Sequence, residues 1–178
     1  MIYTDLSKKA LKLCFEVHSN QIDKSGMPYV YHPFHLAEQM TDEATTVVAL
    51  LHDVLEDSDL LIDDLSKMGL SKEMLEAIIL LTHDKAVTYM EYIHKIAENP
   101  IARTVKLADL RHNSDLTRLD VVTDSDISRC KRYQKAINFL EERECHINID
   151  DRLVSAFERS GNVGQVDSKD RDVQVELV

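Results

Sequence analysis

Glycine and proline are scarce in this chain, with 4 Gly and 3 Pro among 178 residues. An all-β fold needs many tight turns, and because such turns depend on these two residues, the composition favours helices. The hydrophobic share of 44% is sufficient for one domain with a sizeable core. The sequence shows no internal repeat and no second domain. From the composition we predict an all-α fold that forms a single-domain helical bundle.

Positive charge and paired thiols are also in short supply. The chain has 21 Lys and Arg against 32 Asp and Glu, a net charge of −11, which argues against a general nucleic-acid surface. Cys14, Cys130 and Cys145 form neither a metal motif nor an even disulfide set, so reduced thiols and a cytoplasmic location are predicted. Apolar runs are too short for a signal peptide or a membrane span, and no membrane partner is expected.

Helix start signals recur along the chain ahead of apolar residues at helical spacing. They predict roughly seven or eight helices. These begin after Thr4, at about His32-Pro33, and after Asp42, Asp59, Ser71, Thr88, Asn99 and Thr123 or Ser125. The third of these helices is predicted to run from Glu43 to about Leu55. The periodicity fails after about Glu144, which predicts a domain over 1–145 and an irregular or partly disordered tail over 146–178.

Residues 50–57 begin as an apolar helix and then carry His52, Asp53, Glu56 and Asp57. Residues three and four apart share a helix face, so these carboxylates and the imidazole are expected to lie together. Three neighbouring acids repel one another unless a cation lies among them or their pKa values rise. The stretch therefore predicts a bound metal ion.

Two further residues extend this candidate site: His32, at the entrance of the second helix, and Asp109, in an apolar helical segment. Taken alone, Asp109 would be interpreted as an acid paired with Lys106 or Arg111. Together with His52 and Asp53, however, these residues give a nitrogen and oxygen ligand set without a thiolate. Such a set suits manganese, iron or magnesium better than structural zinc.

Other polar residues carry a weaker signal. The second His-Asp pair, His83-Asp84, has no acid pair behind it and is interpreted as polarity at a helix end. His112 is left open because its neighbour Asn113 is a candidate site residue. Tyr29 and Tyr31 are open between packing on a substrate and a structural role in the loop.

Three blocks of this chain, 24–33, 50–57 and 105–109, resemble the hydrolase domain of the RelA/SpoT family, in the HD superfamily of metal-dependent phosphohydrolases. The resemblance runs from about Leu6 to Glu142 and implies a helical bundle of the HD-domain type. Enzymes of this family remove the 3′-pyrophosphate from the alarmone ppGpp. The resemblance thus implies a stand-alone ppGpp hydrolase with a small nucleotide as its substrate, since too few residues follow Glu144 for the synthetase domain of long family members.

The same resemblance implies roles for individual residues. One Mn²⁺ would be held by His32, His52, Asp53 and Asp109. The attacking water would be oriented or activated by Glu56 and Asp57. The nucleotide would be surrounded by Lys24, Ser25, Lys106 and Asn113. The family usually has an arginine that packs on the guanine base where this chain has Asp23, so we expect weak discrimination for guanine.

Two alternatives remain open at this level. The first is an HD-type nucleotidase that acts on another nucleotide, such as a deoxynucleoside monophosphate. The second is a non-catalytic, nucleotide-binding regulatory module, against which the intact acid pair Glu56-Asp57 argues. Fe²⁺ or Mg²⁺ could replace Mn²⁺, and the sequence leaves the oligomeric state open, a homo-oligomer included.

Overall fold

The structure, a computed structural model, describes the backbone of residues 1–160 and the side chains of residues 1–143. Within this part, the chain forms nine α-helices and one 3-10 turn, listed here in chain order: α1 Asp5–His18, α2 Tyr31–Glu38, α3 Glu43–Leu51, α4 Val54–Asp57, α5 Ile62–Met68, α6 Lys72–Leu81, α7 Tyr89–Ala97, α8 Pro100–Ser114, the 3-10 turn Leu116–Arg118 and α9 Asp124–Ser160. The described residues contain no strand, and the predicted all-α bundle is confirmed.

Most helix starts lie where capping chemistry predicts them. Thr4 and Thr88 form capping boxes with Ser7 and Glu91, and the side chain of Asn99 accepts a hydrogen bond from Ala102 N before Pro100 opens α8. These contacts satisfy backbone N–H groups that have no partner inside the helix. Local sequence therefore fixes where these helices begin.

Helix α3 is the centre of the bundle. It packs against α1, α2, α6 and α8, and every residue from Thr45 to Leu51 is buried. A helix that is apolar on nearly all sides can only be stable inside a core. The C-terminal end of α3 consequently places His52 deep within the protein, where its side chain is buried.

The predicted continuous helix from Glu43 to Leu55 is wrong, because α3 ends at Leu51 and the short α4 begins at Val54. Successive side chains on a regular helix project about 100° apart. The break instead allows His52 and Asp53 to converge, and His52 Nε2 lies 2.9 Å from Asp53 Oδ2. The central helix is thus interrupted at His52 and Asp53, two of the residues expected to bind a metal ion.

The chain divides into two units, Met1–Arg143 and Glu144–Val178. In the second unit the backbone is helical as far as Ser160, whereas the sequence predicts an irregular or partly disordered tail from residue 146. Residues 144–160 contain neither glycine nor proline to end a helix. Residues 161–178 lie outside the described part of the chain, and both the tail and the domain boundary stay predictions.

The described helices also bear on the membrane prediction. None of them, over residues 1–160, has both the length and the apolar character that crossing a bilayer requires.

Candidate metal centre between two cavities

Three buried side chains from separate segments converge at the centre of the bundle: His32 on α2, His52 after α3, and Asp109 on α8. One ligand atom from each lies within 4.8 Å of the others. The distance from His32 Nε2 to Asp109 Oδ1 is 3.2 Å. The structure therefore assembles three of the four residues expected to hold a metal ion.

The hydrogen bonding of His52 suits a metal ligand. Its Nδ1 lies 2.8 Å from the carbonyl oxygen of Ala49, which accepts the ring proton. This contact leaves Nε2 as the nitrogen that faces the carboxylates, and Nε2 is buried without a hydrogen-bond partner among the described residues. Burial would lower the pKa of His52, but the carboxylates raise it to about 9, and a site that favours a positive charge in this way is well matched to a divalent cation.

Asp53, the fourth expected ligand, lies beside this group rather than in it. Among the described residues it is not a member of the three-residue cluster. Its Oδ2 contacts His52 and accepts a hydrogen bond from the hydroxyl of Tyr29. Burial would raise the pKa of the Asp53 carboxyl, but the adjacent His52 holds it well below its usual range, so the group is a carboxylate.

Asp109 is surrounded by cationic and donor groups. Its Oδ2 lies 2.8 Å from Lys106 Nζ, and Asn113 Nδ2 donates to its Oδ1. Burial opposes ionisation, yet the Lys106 ammonium and the neighbouring His32 and His52 lower the pKa of Asp109 well below the usual value. Lys106 and Asn113, expected around the nucleotide, are thus fixed in direct contact with a candidate metal ligand.

Glu56 and Asp57, the predicted acid pair, point in different directions. Glu56 accepts a hydrogen bond of 2.6 Å from the backbone N–H of His83 and lines a cavity with Asp53 and Lys106. Asp57 turns toward α1, where its Oδ2 lies 3.7 Å from Nδ1 of the buried His18. Burial and the charge of Asp53 raise the pKa of Asp57. Glu56 therefore has the more direct access to a substrate.

Two cavities border the candidate metal centre. The first, about 270 Å³ in volume, is lined by His32, Lys24, Ser25 and Asn113, among others. Lys24, Ser25 and Asn113 are three of the residues expected around the nucleotide. The second, about 290 Å³, is lined by Asp53, Glu56, Lys106 and Arg132, among others. Tyr133 lines both cavities. Each volume lies just below the usual range for ligand pockets, about 300–1,000 Å³.

Several residues of the site were missed or left open by the sequence analysis. His32 Nδ1 lies 2.7 Å from His112 Nδ1, and Tyr29 bonds to Asp53. Burial, with His32 and Arg118 nearby, lowers the pKa of His112 to about 4, so its neutral ring can accept the His32 proton. His83, interpreted as surface or helix-end polarity, does follow the end of α6. Its backbone N–H also donates to Glu56, and the residue lines the second cavity.

The expectation for Asp23 also changes. Its carboxylate is not a free charge beside the ligand, because Oδ2 forms a 2.6 Å ion pair with Arg118 Nη2. Burial alone would raise the pKa of Asp23, but hydrogen bonds from Ser25 and Met27 and the charge of Arg118 lower it. Ninety-five positions separate the two residues, so no local pattern could have predicted the pair.

Comparison with known proteins gives a consistent result. No protein-family model matches the chain. A GTP pyrophosphokinase of Myxococcus xanthus is 32% identical over 126 residues, which cover 61% of this chain and 17% of that protein. A guanosine-3′,5′-bis(diphosphate) 3′-pyrophosphohydrolase of Mus musculus is 34% identical over 108 residues, or 54% of this chain and 60% of that protein. Over these segments the chain is similar in sequence to both proteins.

A solved structure has the same fold as this chain. A metazoan orthologue of SpoT that hydrolyses ppGpp superimposes with a TM-score of 0.65 at 24% identity, over 79% of this chain and 87% of that one. The likeness confirms the predicted HD-type bundle. The chain spans less than two thirds of the length of the curated relatives above.

The contact between Tyr29 and Asp53 allows a direct test of the site. We expect Tyr29→Phe to weaken divalent-metal binding by about 10- to 100-fold, because a partner that orients a ligand is lost. Metal titration followed by calorimetry would measure the change. Tyr31→Phe is the matched control, since Tyr31 opens α2 two residues further on, with 57% of its surface exposed. Equal affinities in Tyr29→Phe and wild type would remove Asp53 from the ligand set.

Proposed function

We propose that this chain is a metal-dependent phosphohydrolase that converts ppGpp to GDP and pyrophosphate by removing the 3′-pyrophosphate. The observation that carries the proposal is the convergence of His32, His52 and Asp109 between two cavities lined by cations. The relatives described above, among them a mouse protein named as a ppGpp 3′-pyrophosphohydrolase, support the substrate.

The metal site would comprise His32, His52, Asp53 and Asp109, with Mn²⁺ as the expected ion and Fe²⁺ or Mg²⁺ as alternatives. A divalent ion held there would supply Lewis acidity at the phosphoryl group and lower the pKa of a water beside it. The tautomer of His52 is set by Ala49, and Tyr29 orients Asp53. These contacts keep the donor atoms in place before the substrate arrives.

Glu56 is the proposed proton acceptor for the attacking water. Its carboxylate lies in the wall of the second cavity and has a fixed position because the His83 N–H donates to it. A carboxylate held within reach of the water can take its proton as the bond to phosphorus forms. Asp57 would help to orient the attacking water. Its contact with His18 places it on the side that faces α1.

The cations of the two cavities can hold the charged ends of the nucleotide. Lys106 has three N–H donors, one of which faces Asp109, so the others can contact a leaving pyrophosphate in the second cavity. Arg132 lines the same cavity. Lys24 and Ser25 are available for the nucleoside side in the first cavity. Such local cations offset the net charge of −11, which would otherwise repel a polyanion.

A nucleotide panel tests this proposal. With Mn²⁺ present, the protein should release pyrophosphate from ppGpp faster than it releases orthophosphate from any nucleoside or deoxynucleoside monophosphate. Both products can be quantified in the same reactions by coupled assays. Turnover of a 5′-monophosphate with intact ppGpp would favour the HD-type nucleotidase. Binding of ppGpp without any turnover would favour the regulatory module.

A further inference from the structure

The pair formed by Asp23 and Arg118 has a geometry that goes beyond a surface ion pair. Asp23 Oδ1 accepts hydrogen bonds from Ser25 N at 2.8 Å, Ser25 Oγ at 2.6 Å and Met27 N at 3.0 Å. Its Oδ2 accepts from Arg118 Nη2 at 2.6 Å. One oxygen therefore shapes the loop, while the other holds the guanidinium.

Arg118 is held from its other terminal nitrogen as well. Nη1 donates to the carbonyl oxygen of His112 at 3.2 Å and lies 3.2 Å from Nδ1 of the same residue. Contacts at both terminal nitrogens fix the plane of the guanidinium and engage the end of the group, between Nη1 and Nη2, that could otherwise form a bidentate contact with a phosphate. Because the side chain is 26% exposed and lines the first cavity, its flat face is well suited to contact a ligand there.

Lys24, in the same cavity, differs from Arg118 in this respect. It forms no ion pair with any of the residues 1–143, whose side chains the structure describes. A flexible ammonium with unused donors is suited to a phosphate group, whereas a planar cation with engaged edges is suited to stacking. The cavity thus offers one cation for each kind of group in a nucleotide.

We propose that Arg118 is the residue on which the nucleobase packs, and that Asp23 is the positioning residue that holds its guanidinium for this contact. The proposal rests on the proposed function in that it takes the ligand to be a nucleotide. Stacking on a guanidinium face reads no hydrogen-bond pattern of the base. The arrangement accordingly predicts tight packing with little discrimination between the two purines.

Binding of two probes separates this role from a general effect on the site. GDP carries a base, whereas inorganic pyrophosphate does not, and both can be titrated calorimetrically into the full chain with Mn²⁺. We expect Arg118→Leu to weaken GDP binding by about 3- to 30-fold, the range for loss of a cation–π contact. Pyrophosphate affinity should stay within about twofold, a change worth less than about 0.5 kcal/mol.

Two further variants sharpen the test. Arg118→Lys keeps the charge without the planar face and should recover little of the GDP affinity. Asp23→Asn keeps an oxygen for the Ser25 and Met27 N–H groups but replaces the acceptor for Arg118, so it should weaken GDP and spare pyrophosphate. Arg129→Lys is the matched control, since Arg129 lines the same cavity but is paired with Asp126 at 2.8 Å.

Unchanged GDP affinity in Arg118→Leu, or an equal loss for GDP and pyrophosphate, would overturn the inference. The same holds if wild type does not bind GDP, or if Arg118→Lys behaves as wild type, because a point charge would then suffice. If wild type binds GDP in the predicted pattern but leaves ppGpp intact, the proposed reaction is wrong and the base contact stands.

Discussion

Replacing Glu56 with glutamine is expected to lower kcat by about 10²- to 10⁴-fold, the usual contribution of a positioned proton acceptor. The amide is nearly isosteric with the carboxylate and can still accept the hydrogen bond from His83 N–H. Fold and metal content should therefore remain those of wild type. Turnover of ppGpp, the melting temperature and the metal content of the purified variant measure these three quantities separately.

Asp57→Asn is the matched control for this experiment. It makes the same chemical change one residue further on, but Asp57 faces His18 rather than the cavity that Glu56 lines. We expect a smaller loss of turnover than for Glu56→Gln. If Glu56→Gln keeps its rate within about threefold, which is less than roughly 0.7 kcal/mol of barrier, Glu56 does not accept the proton.

Removing the Asp109 carboxylate should have the largest effect on stability as well as on metal binding. The ion pair of Asp109 and Lys106 is buried, with 8% and 14% of the side chains exposed. Asp109→Ala leaves the ammonium of Lys106 buried without its partner, and breaking such a pair costs about 3–5 kcal/mol. Denaturant unfolding without added metal isolates this cost, and elemental analysis should find the bound metal lost.

The double variant Lys106→Met with Asp109→Leu separates the two effects. It removes both charges and fills the space with apolar side chains, so most of the lost stability should return, as for other buried pairs. Metal binding and turnover should stay absent because a ligand is missing. Full metal content in Asp109→Ala would contradict the assignment of Asp109 as a ligand.

Local sequence was sufficient for most of the helical framework. Caps such as Asp42, Ser71 and Thr88 act within three residues of themselves, and each accepts the predicted backbone N–H. The convergence of His32, His52 and Asp109 could also be anticipated, because charged and polar groups in apolar helical surroundings require a shared partner.

Tertiary contacts account for what the sequence could not predict. The break between α3 and α4 arises because His52 and Asp53 both turn toward the same cluster, which no propensity encodes. His112 meets His32 across 80 positions of the chain. Arg118 gave no signal at all, since its pairing with Asp23 exists only once the 3-10 turn after α8 faces the loop before α2.

The position at which ppGpp would be cleaved gives the most direct test of the central claim. Phosphorus NMR of ppGpp incubated with the full chain and Mn²⁺ should show pyrophosphate and GDP appearing in equal amounts, with the 5′-diphosphate intact. The signal should be absent from His52→Ala. Release of orthophosphate, loss of the 5′-phosphates, or unchanged ppGpp with folded, metal-loaded protein would contradict the account.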